Sequence, residues 1–282
     1  MSTDEIVKRV AIVSRYDEPD ATRLAGRIQS HLESKPSIKE VIFDHDTASG
    51  LETVGMPIED LRADLLIVIG GDGTILRTIQ KLKKQIPVLG VNFGRVGFLA
   101  DATSENALAM IDETLADFKV EARMRLTIHI NGDLLPCATN EAVIVTTSIV
   151  TTSPTKMFAF RILVDGHELD ELRADGIVIA TPTGSTAYAM SAGGPIVDPR
   201  VDGTIIVPLA PYKLSSRPWV VCAKSEITVK PIHASEGAAI VIDGQYTQPV
   251  RTGDTITITS ADKPALFVKT RWHFYERVRI KL

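Results

Sequence analysis

Thirteen residues constrain this chain more than any other stretch: Leu65-Leu66-Ile67-Val68-Ile69-Gly70-Gly71-Asp72-Gly73-Thr74-Ile75-Leu76-Arg77. Five branched apolar residues in a row suit a short strand covered on both faces. Gly70, Gly71 and Gly73 permit positive φ and let another molecule come close to the backbone. Thr74 can cap a following helix, whose free N–H groups favour an anion such as phosphate. Asp72 is the unusual member. A carboxylate beside a phosphate cradle repels the ligand unless it has a task, such as taking a proton or holding a metal. The alternative is a plain strand-to-helix turn with an Asp near the cap.

The chain up to about residue 120 continues this grammar. Strands are expected at 10–14, 41–43, 65–69 and 87–91. Helices are expected from Asp20 as cap through Leu32, over 75–82 and over 104–116, with 44–60 as a polar loop. Strands alternating with helices imply a doubly wound parallel sheet, which binds ligands at the carboxyl ends of its strands. Asp72 and Asn92 both fall at such ends. Beyond residue 120 strict alternation and turn pairs take over: Asn131-Gly132, Asp165-Gly166 and Asp243-Gly244 separate short strand candidates, among them 125–130, 141–147, 158–164, 176–180, 204–207, 239–242 and 255–259, and 265–269 follows. That pattern predicts an all-β sandwich.

Composition narrows the function. With 282 residues, 44% hydrophobic and 23% charged, the chain can build one large or two ordinary domains. A net charge of −4 argues against nucleic acid or an anionic membrane as a general partner. No apolar run approaches a membrane span, and Met1-Ser2-Thr3-Asp4-Glu5 does not read as a signal peptide, so the cytoplasm is the expected compartment. Cys137 and Cys222 are then expected as two buried thiols. No Cys/His cluster has zinc spacing, and no metal ligand is assigned.

Three further stretches carry chemistry. Asn140-Glu141 opens a strand; an amide and a carboxylate together match an adenine edge or ribose hydroxyls, though a turn before a strand reads the same way. From Asp175-Gly176 through Thr181-Pro182-Thr183-Gly184-Ser185-Thr186-Ala187-Tyr188 to Ser191, small hydroxyl residues expose backbone to a ligand, and Tyr188 offers a ring for stacking. A short helix is expected from Ser185 or Thr186. Asp243-Gly244 reads first as a hairpin turn.

Together and in this order these stretches resemble the NAD kinase family. Gly70-Gly71-Asp72-Gly73-Thr74 is similar to its GGDGT motif, and Asn92-Phe93-Gly94-Arg95-Val96-Gly97-Phe98-Leu99 to its second glycine motif, with Val96 where Leu is common. Asn140-Glu141, the 175–195 signature and Asp243-Gly244 match as well. Diacylglycerol kinases, sphingosine kinases and phosphofructokinases carry relatives of GGDGT, so the 173–195 run is the specific part; Pro211 to Pro218 also resembles a family segment, in wording closer to archaeal members than to bacterial ones. The resemblance implies an α/β domain over 1–121, to which 264–282 return, and a β-sandwich NAD-binding domain over 122–263. It implies transfer of a terminal phosphoryl group from ATP or polyphosphate to the 2′-hydroxyl of the adenosine ribose of NAD, giving NADP. Mg²⁺ or another divalent cation would travel with the donor, and the chain would form a homodimer or homotetramer in which a neighbouring subunit completes the NAD site.

The same resemblance assigns roles. Asp72 is the candidate base, open between taking the proton, orienting the hydroxyl and holding metal. Gly70, Gly71, Gly73, Thr74 and Arg77 would hold the donor. Asp72, Gly73, Asn92, Phe98, Asn140, Glu141, Asp175, Thr183, Thr186, Ala187, Tyr188, Ser191 and Asp243 would bind NAD. Two rivals remain in view. A lipid kinase on GGDGT would need a membrane-facing surface and leaves 173–195 without a purpose. A non-catalytic dinucleotide sensor would have no use for Asp72.

Overall fold

The computed structural model describes residues 7–93, 97–146, 158–234, 238–271 and 273–282. The first six residues, 94–96 of the second glycine stretch, Thr147 of a predicted strand and Trp272 lie outside these. The chain divides into two compact units, Met1–Ala122 with Ala265–Leu282, and Arg123–Pro264.

The first unit opens with β1 (Arg9–Ser14), α1 (Pro19–Glu33), β2 (Glu40–Phe43), α2 (His45–Gly50), β3 (Leu65–Ile69), α3 (Asp72–Lys81), β4 (Val88–Asn92), β5 (Ala102–Thr103), α4 (Ala107–Ala116) and β6 (Val120–Arg123). The second unit holds β7 (Leu126–Ile130), β8 (Asp133–Leu134), β9 (Glu141–Thr146), β10 (Phe158–Val164), β11 (His167–Ala174), β12 (Gly176–Ala180), α5 (Tyr188–Ser191), β13 (Gly203–Leu209), β14 (Trp219–Cys222), β15 (Ile227–His233), β16 (Ala238–Ile242), β17 (Tyr246–Pro249) and β18 (Ile256–Ser260). The chain then returns to the first unit as β19 (Ala265–Val268) and α6 (Phe274–Lys281).

In the first unit the sheet order is β2-β1-β3-β4-β19-β6, with β5 beside β4; β1–β2, β1–β3, β3–β4, β4–β5 and β4–β19 run parallel. Alternate residues feed two cores. Val10, Ile12, Ile67 and Ile69 pack with Ala21, Leu24, Ala25 and Ile28 of α1, while Ala11, Val13, Leu66 and Val68 pack with Ile75, Leu76 and Ile79 of α3. All five residues of β3 are buried, as a strand between two helical layers requires.

The second unit is a sandwich of two six-stranded sheets, β11-β10-β15-β18-β7-β8 and β14-β13-β12-β9-β16-β17. Phe158, Phe160, Ile256 and Ile258 of one sheet meet Ile144, Ile177, Ile179 and Ile240 of the other in a single core. Val178, Ala180, Ile205 and Val207 face the opposite way, against Ala189 of α5. Asn131-Gly132, Asp165-Gly166 and Asp243-Gly244 all take positive φ, as their reading as hairpin turns requires.

Several local expectations are corrected. The 44–60 stretch is no plain loop: Asp44 accepts from the Thr47 amide and starts α2, and a 3-10 turn covers Ile58–Asp60. Asp20 lies in the first turn of α1 and Glu18 is its cap residue. The fourth helix begins at Ala107, three residues later than its apolar spacing suggests. Cys137 and Cys222 are both free thiols, but neither is buried: Cys137 is partly exposed and Cys222 is exposed. Among the described residues no helix is long and apolar enough to cross a membrane.

Candidate functional site

Two clusters of the predicted residues form, one in each unit. The first lies where β3 and β4 end side by side: Ile69 pairs with Val91, and the Gly70 amide donates to the Val91 carbonyl at 2.9 Å. Gly71 is the cap residue of α3, with no side chain capping the helix, so Thr74 is not the cap. Of the three glycines only Gly70 has positive φ, at 159°, close to extended; Gly71 is extended and Gly73 is helical. Their use is space. A Cβ on Gly70 would stand 2.6 Å from the Thr74 hydroxyl, whereas at Gly71 it would meet nothing within 4 Å. The helix start is therefore open over Gly71, with uncapped amides and the positive end of the helix dipole.

Asp72 is the first residue of α3. Its carboxylate accepts from the amides of Phe98 (2.7 Å) and Leu99 (3.1 Å), so it pins the stretch that follows β4. A side chain on Gly97 would run into this carboxylate. Asn92 is buried at the end of β4. Phe98 receives Arg277 on its carbonyl at 3.2 Å, and its ring lies 4.3 Å below the Lys281 ammonium. Arg77, expected at the donor, stands over the Tyr16 ring at 5.8 Å, 3.9 Å from the Asp46 carboxylate.

The second cluster is a carboxylate cradle. Asp243 leaves β16 in a left-handed turn, and its buried carboxylate accepts from the amides of Thr139 (2.7 Å), Asn140 (2.8 Å) and Glu141 (3.0 Å). The hairpin reading of Asp243 is right but incomplete, since the side chain also shapes the 139–141 backbone. Thr181 continues the cradle: its hydroxyl donates to the Thr139 carbonyl at 2.7 Å and its amide to the Asn140 carbonyl at 2.8 Å. Gly184 packs so closely that a Cβ would overlap the Asn140 carbonyl. The expected helix at 185–186 is a 3-10 turn over Thr183–Thr186 followed by α5. Thr183 and Thr186 are buried, while Tyr188 is 46% exposed with its ring at the surface.

Inside this cradle Asn140 Oδ1 and Glu141 Oε2 are buried and have no hydrogen-bond partner. Burial, and next the Asp243 charge, push the Glu141 carboxyl up to about 8, against the opposing Tyr188 amide. Burial also raises Asp243, opposed by its three amide donors. Two acceptors left unpaired in a folded interior are costly, by about 1–3 kcal/mol each, unless a ligand supplies donors.

Asp175 does not join the cradle. It is exposed and precedes β12, whereas Thr181 follows it. The five residues of β12 lie between the two, and six strand steps set them about 20 Å apart. Residues not anticipated from the sequence are Thr139 and Thr181, which shape the cradle, and Arg125, a buried cation whose charge opposes the rise of Asp243. Thr181 lay within the hydroxyl-rich run, but Arg125 opens an ordinary alternating strand and carried no signal.

A glycine hinge with uncapped helix amides in one unit, and a carboxylate-lined polar cradle in the other, are features suited to a two-unit nucleotide phosphotransferase. Comparison with known proteins agrees: residues 1–118 match the ATP-NAD kinase N-terminal domain and 139–270 the ATP-NAD kinase C-terminal domain. The NAD kinase of Methanosarcina acetivorans is 44% identical over 280 residues, covering 98% of this chain and 99% of its own. Yeast NADH kinase complexed with NADH superposes with a TM-score of 0.88 at 28% identity, over 99% of this chain and 88% of that one. An NAD kinase from Archaeoglobus fulgidus in complex with ATP gives 0.77 at 32% identity, over 96% and 97%. The chain belongs to the NAD kinase family.

Proposed function

We infer that the protein transfers the terminal phosphoryl group of ATP to the 2′-hydroxyl of the adenosine ribose of NAD, producing NADP. The observation that carries the acceptor's side of this reading is the unpaired pair of buried acceptors, Asn140 Oδ1 and Glu141 Oε2. Ribose hydroxyls and an adenine amino group are donors of the kind these atoms lack. Thr183, Thr186, Ala187, Tyr188 and Ser191 complete the NAD contacts, with Asp243 acting through the backbone that it holds. On the donor's side, the uncapped amides behind Gly71 receive phosphate oxygens, with Gly70, Gly73 and Thr74 around them. Asp72, already ordered by two amides, takes the hydroxyl proton or orients that hydroxyl; such help is worth about 10²–10⁴-fold.

Among the described residues no three His, Cys, Asp or Glu side chains converge as metal ligands. A divalent cation would enter on the donor phosphates, supplying charge neutralisation there. Asp175, at the far end of β12 from the cradle, has a use if a second copy completes each NAD site, which favours a homo-oligomer. Incubation with NAD, ATP and Mg²⁺ should yield NADP, with polyphosphate and NADH as parallel arms. Tight NAD binding without NADP from either donor would favour the sensor reading.

Glu141 gives a second check. Its folded-state value of about 8 lies above the ordinary 4.5, so near pH 7 the empty cradle holds a proton there. Stability from this group is fully present below about 4.5 and lost as pH rises through about 8. Ribose hydroxyls donating to the carboxylate favour its charged form. Binding of NAD near pH 7 should then release up to one proton, seen as a binding heat that varies with buffer ionisation enthalpy. Glu141→Gln should abolish that dependence; an unchanged dependence would remove Glu141 from the ribose contact.

A further inference from the structure

Asp72 poses an electrostatic problem that its own hinge does not solve. The Phe98 and Leu99 amides satisfy its oxygens but are dipoles without net charge. A polyphosphate drawn to the first turn of α3 still meets a carboxylate, and at a few ångströms in a partly buried setting like charges repel far more strongly than in bulk water. An offsetting cation is needed within the first unit. Arg277 is already committed, 2.6 Å from the Asp101 carboxylate and bonded to the Phe98 carbonyl. Arg77 has Asp46 and Tyr16 beside it.

Lys281 is different. It stands in the last turn of α6, one turn beyond Arg277, which fastens the helix to 98–101. Its ammonium lies over the Phe98 ring at 4.3 Å, is shielded from solvent, and has no hydrogen-bond partner. The ring face attracts the ammonium weakly, less than an ion pair with good geometry would. The charged groups that act on it are Asp72 at the start of α3, Asp101 ahead of β5, and Arg277 on its own helix. Burial holds its ammonium down to about 8, with Asp72 the chief opposing influence and Asp101 a smaller one. The fold thus keeps a bare cation within reach of the field of Asp72 without letting the two neutralise each other by direct contact.

We propose that Lys281 is a positioning residue for the phosphoryl donor: its ammonium offsets the Asp72 carboxylate, so that a polyphosphate can be drawn to the Asp72 hinge. The proposal rests on the phosphoryl-transfer reading only for the identity of the donor. Its test is ATP affinity by titration calorimetry in the absence of NAD, between pH 7 and 9.5, for the full chain, Lys281→Met and Lys281→Arg. At pH 7 Lys281→Met should bind ATP about tenfold more weakly, as loss of one partly buried charge implies. The wild-type affinity should decline through about pH 8 as the ammonium is lost. The Met variant should show no inflection there, and the Arg variant should keep the affinity and carry it past pH 9, because a guanidinium does not titrate in this range. Equal losses in both variants, or a Met variant with wild-type affinity and profile, would overturn the assignment. If the Met variant does not fold, the displaced inflection of the Arg variant decides alone. A wild-type protein that forms no NADP yet shows Lys281-dependent ATP binding would defeat the kinase reading and leave this assignment standing.

Discussion

Asp72→Asn is expected to reduce the rate of NADP formation by about 10²–10⁴-fold if Asp72 takes the hydroxyl proton. The structure adds a second consequence. Each oxygen of the carboxylate accepts one amide, from Phe98 or Leu99, and an Asn can offer only one acceptor while presenting an N–H to the other. That mismatch costs about 1–3 kcal/mol locally and should show as faster hydrogen exchange at the Phe98 and Leu99 amides. Turnover loss and loosening are separable. A variant with the exchange change but nearly full activity would mean that Asp72 only anchors the 98–99 stretch.

Asp243→Ala should be the most damaging single change to the second unit. It removes the acceptor of three amides in a site where Asp243 is 4% exposed. With each orphaned donor costing about 1–3 kcal/mol, a loss of roughly 3 kcal/mol or more in unfolding free energy follows. NAD binding should fail with it, because those amides fix the Asn140 and Glu141 backbone. Asp243→Asn should be milder, keeping an acceptor for Asn140 and Glu141. It also removes the charge that is the second cause of the raised Glu141 value, so proton release on NAD binding should move to lower pH. A denaturation midpoint and NAD affinity unchanged in the Ala variant would show that the three bonds do not support the cradle.

What could be read from the sequence was whatever is local and periodic. The apolar run at 65–69 had to be a doubly covered strand, and Asn131-Gly132 had to be a turn, because the residues themselves carry those preferences. The α2 helix escaped because His45-Asp46-Thr47-Ala48-Ser49-Gly50 has no apolar stripe; it is held by the Asp44 cap and the buried Thr47 hydroxyl, which accepts from the Ser14 amide and donates to the Ser14 hydroxyl. The β11 strand escaped because His167-Glu168-Leu169-Asp170-Glu171 is mostly polar; pairing with β10 and the Arg161 contacts to Glu168 and Glu171 supply what propensity does not. At the sites, residue identity pointed to Asp72, Asn140 and Glu141. It could not show that Asp243, about a hundred residues away, is the acceptor for that backbone, nor that Lys281 ends up over Phe98. Both depend on strand order and helix docking, which no local window contains.

The position of β19 has a consequence for biosynthesis. Its neighbours in the sheet are β4 and β6, yet it is made only after the whole sandwich sequence. A ribosome that has released residues 1–122 has therefore produced a sheet with a gap: Phe267 is missing from its core, β4 lacks its partner at Val88 although β5 already pairs with Val91 and Asn92, and β6 lacks the neighbour that joins it to the sheet. Such edges invite pairing with other chains. The domain translated first is completed last, and during synthesis its open edges are a liability that the sequence between must be made quickly enough to close.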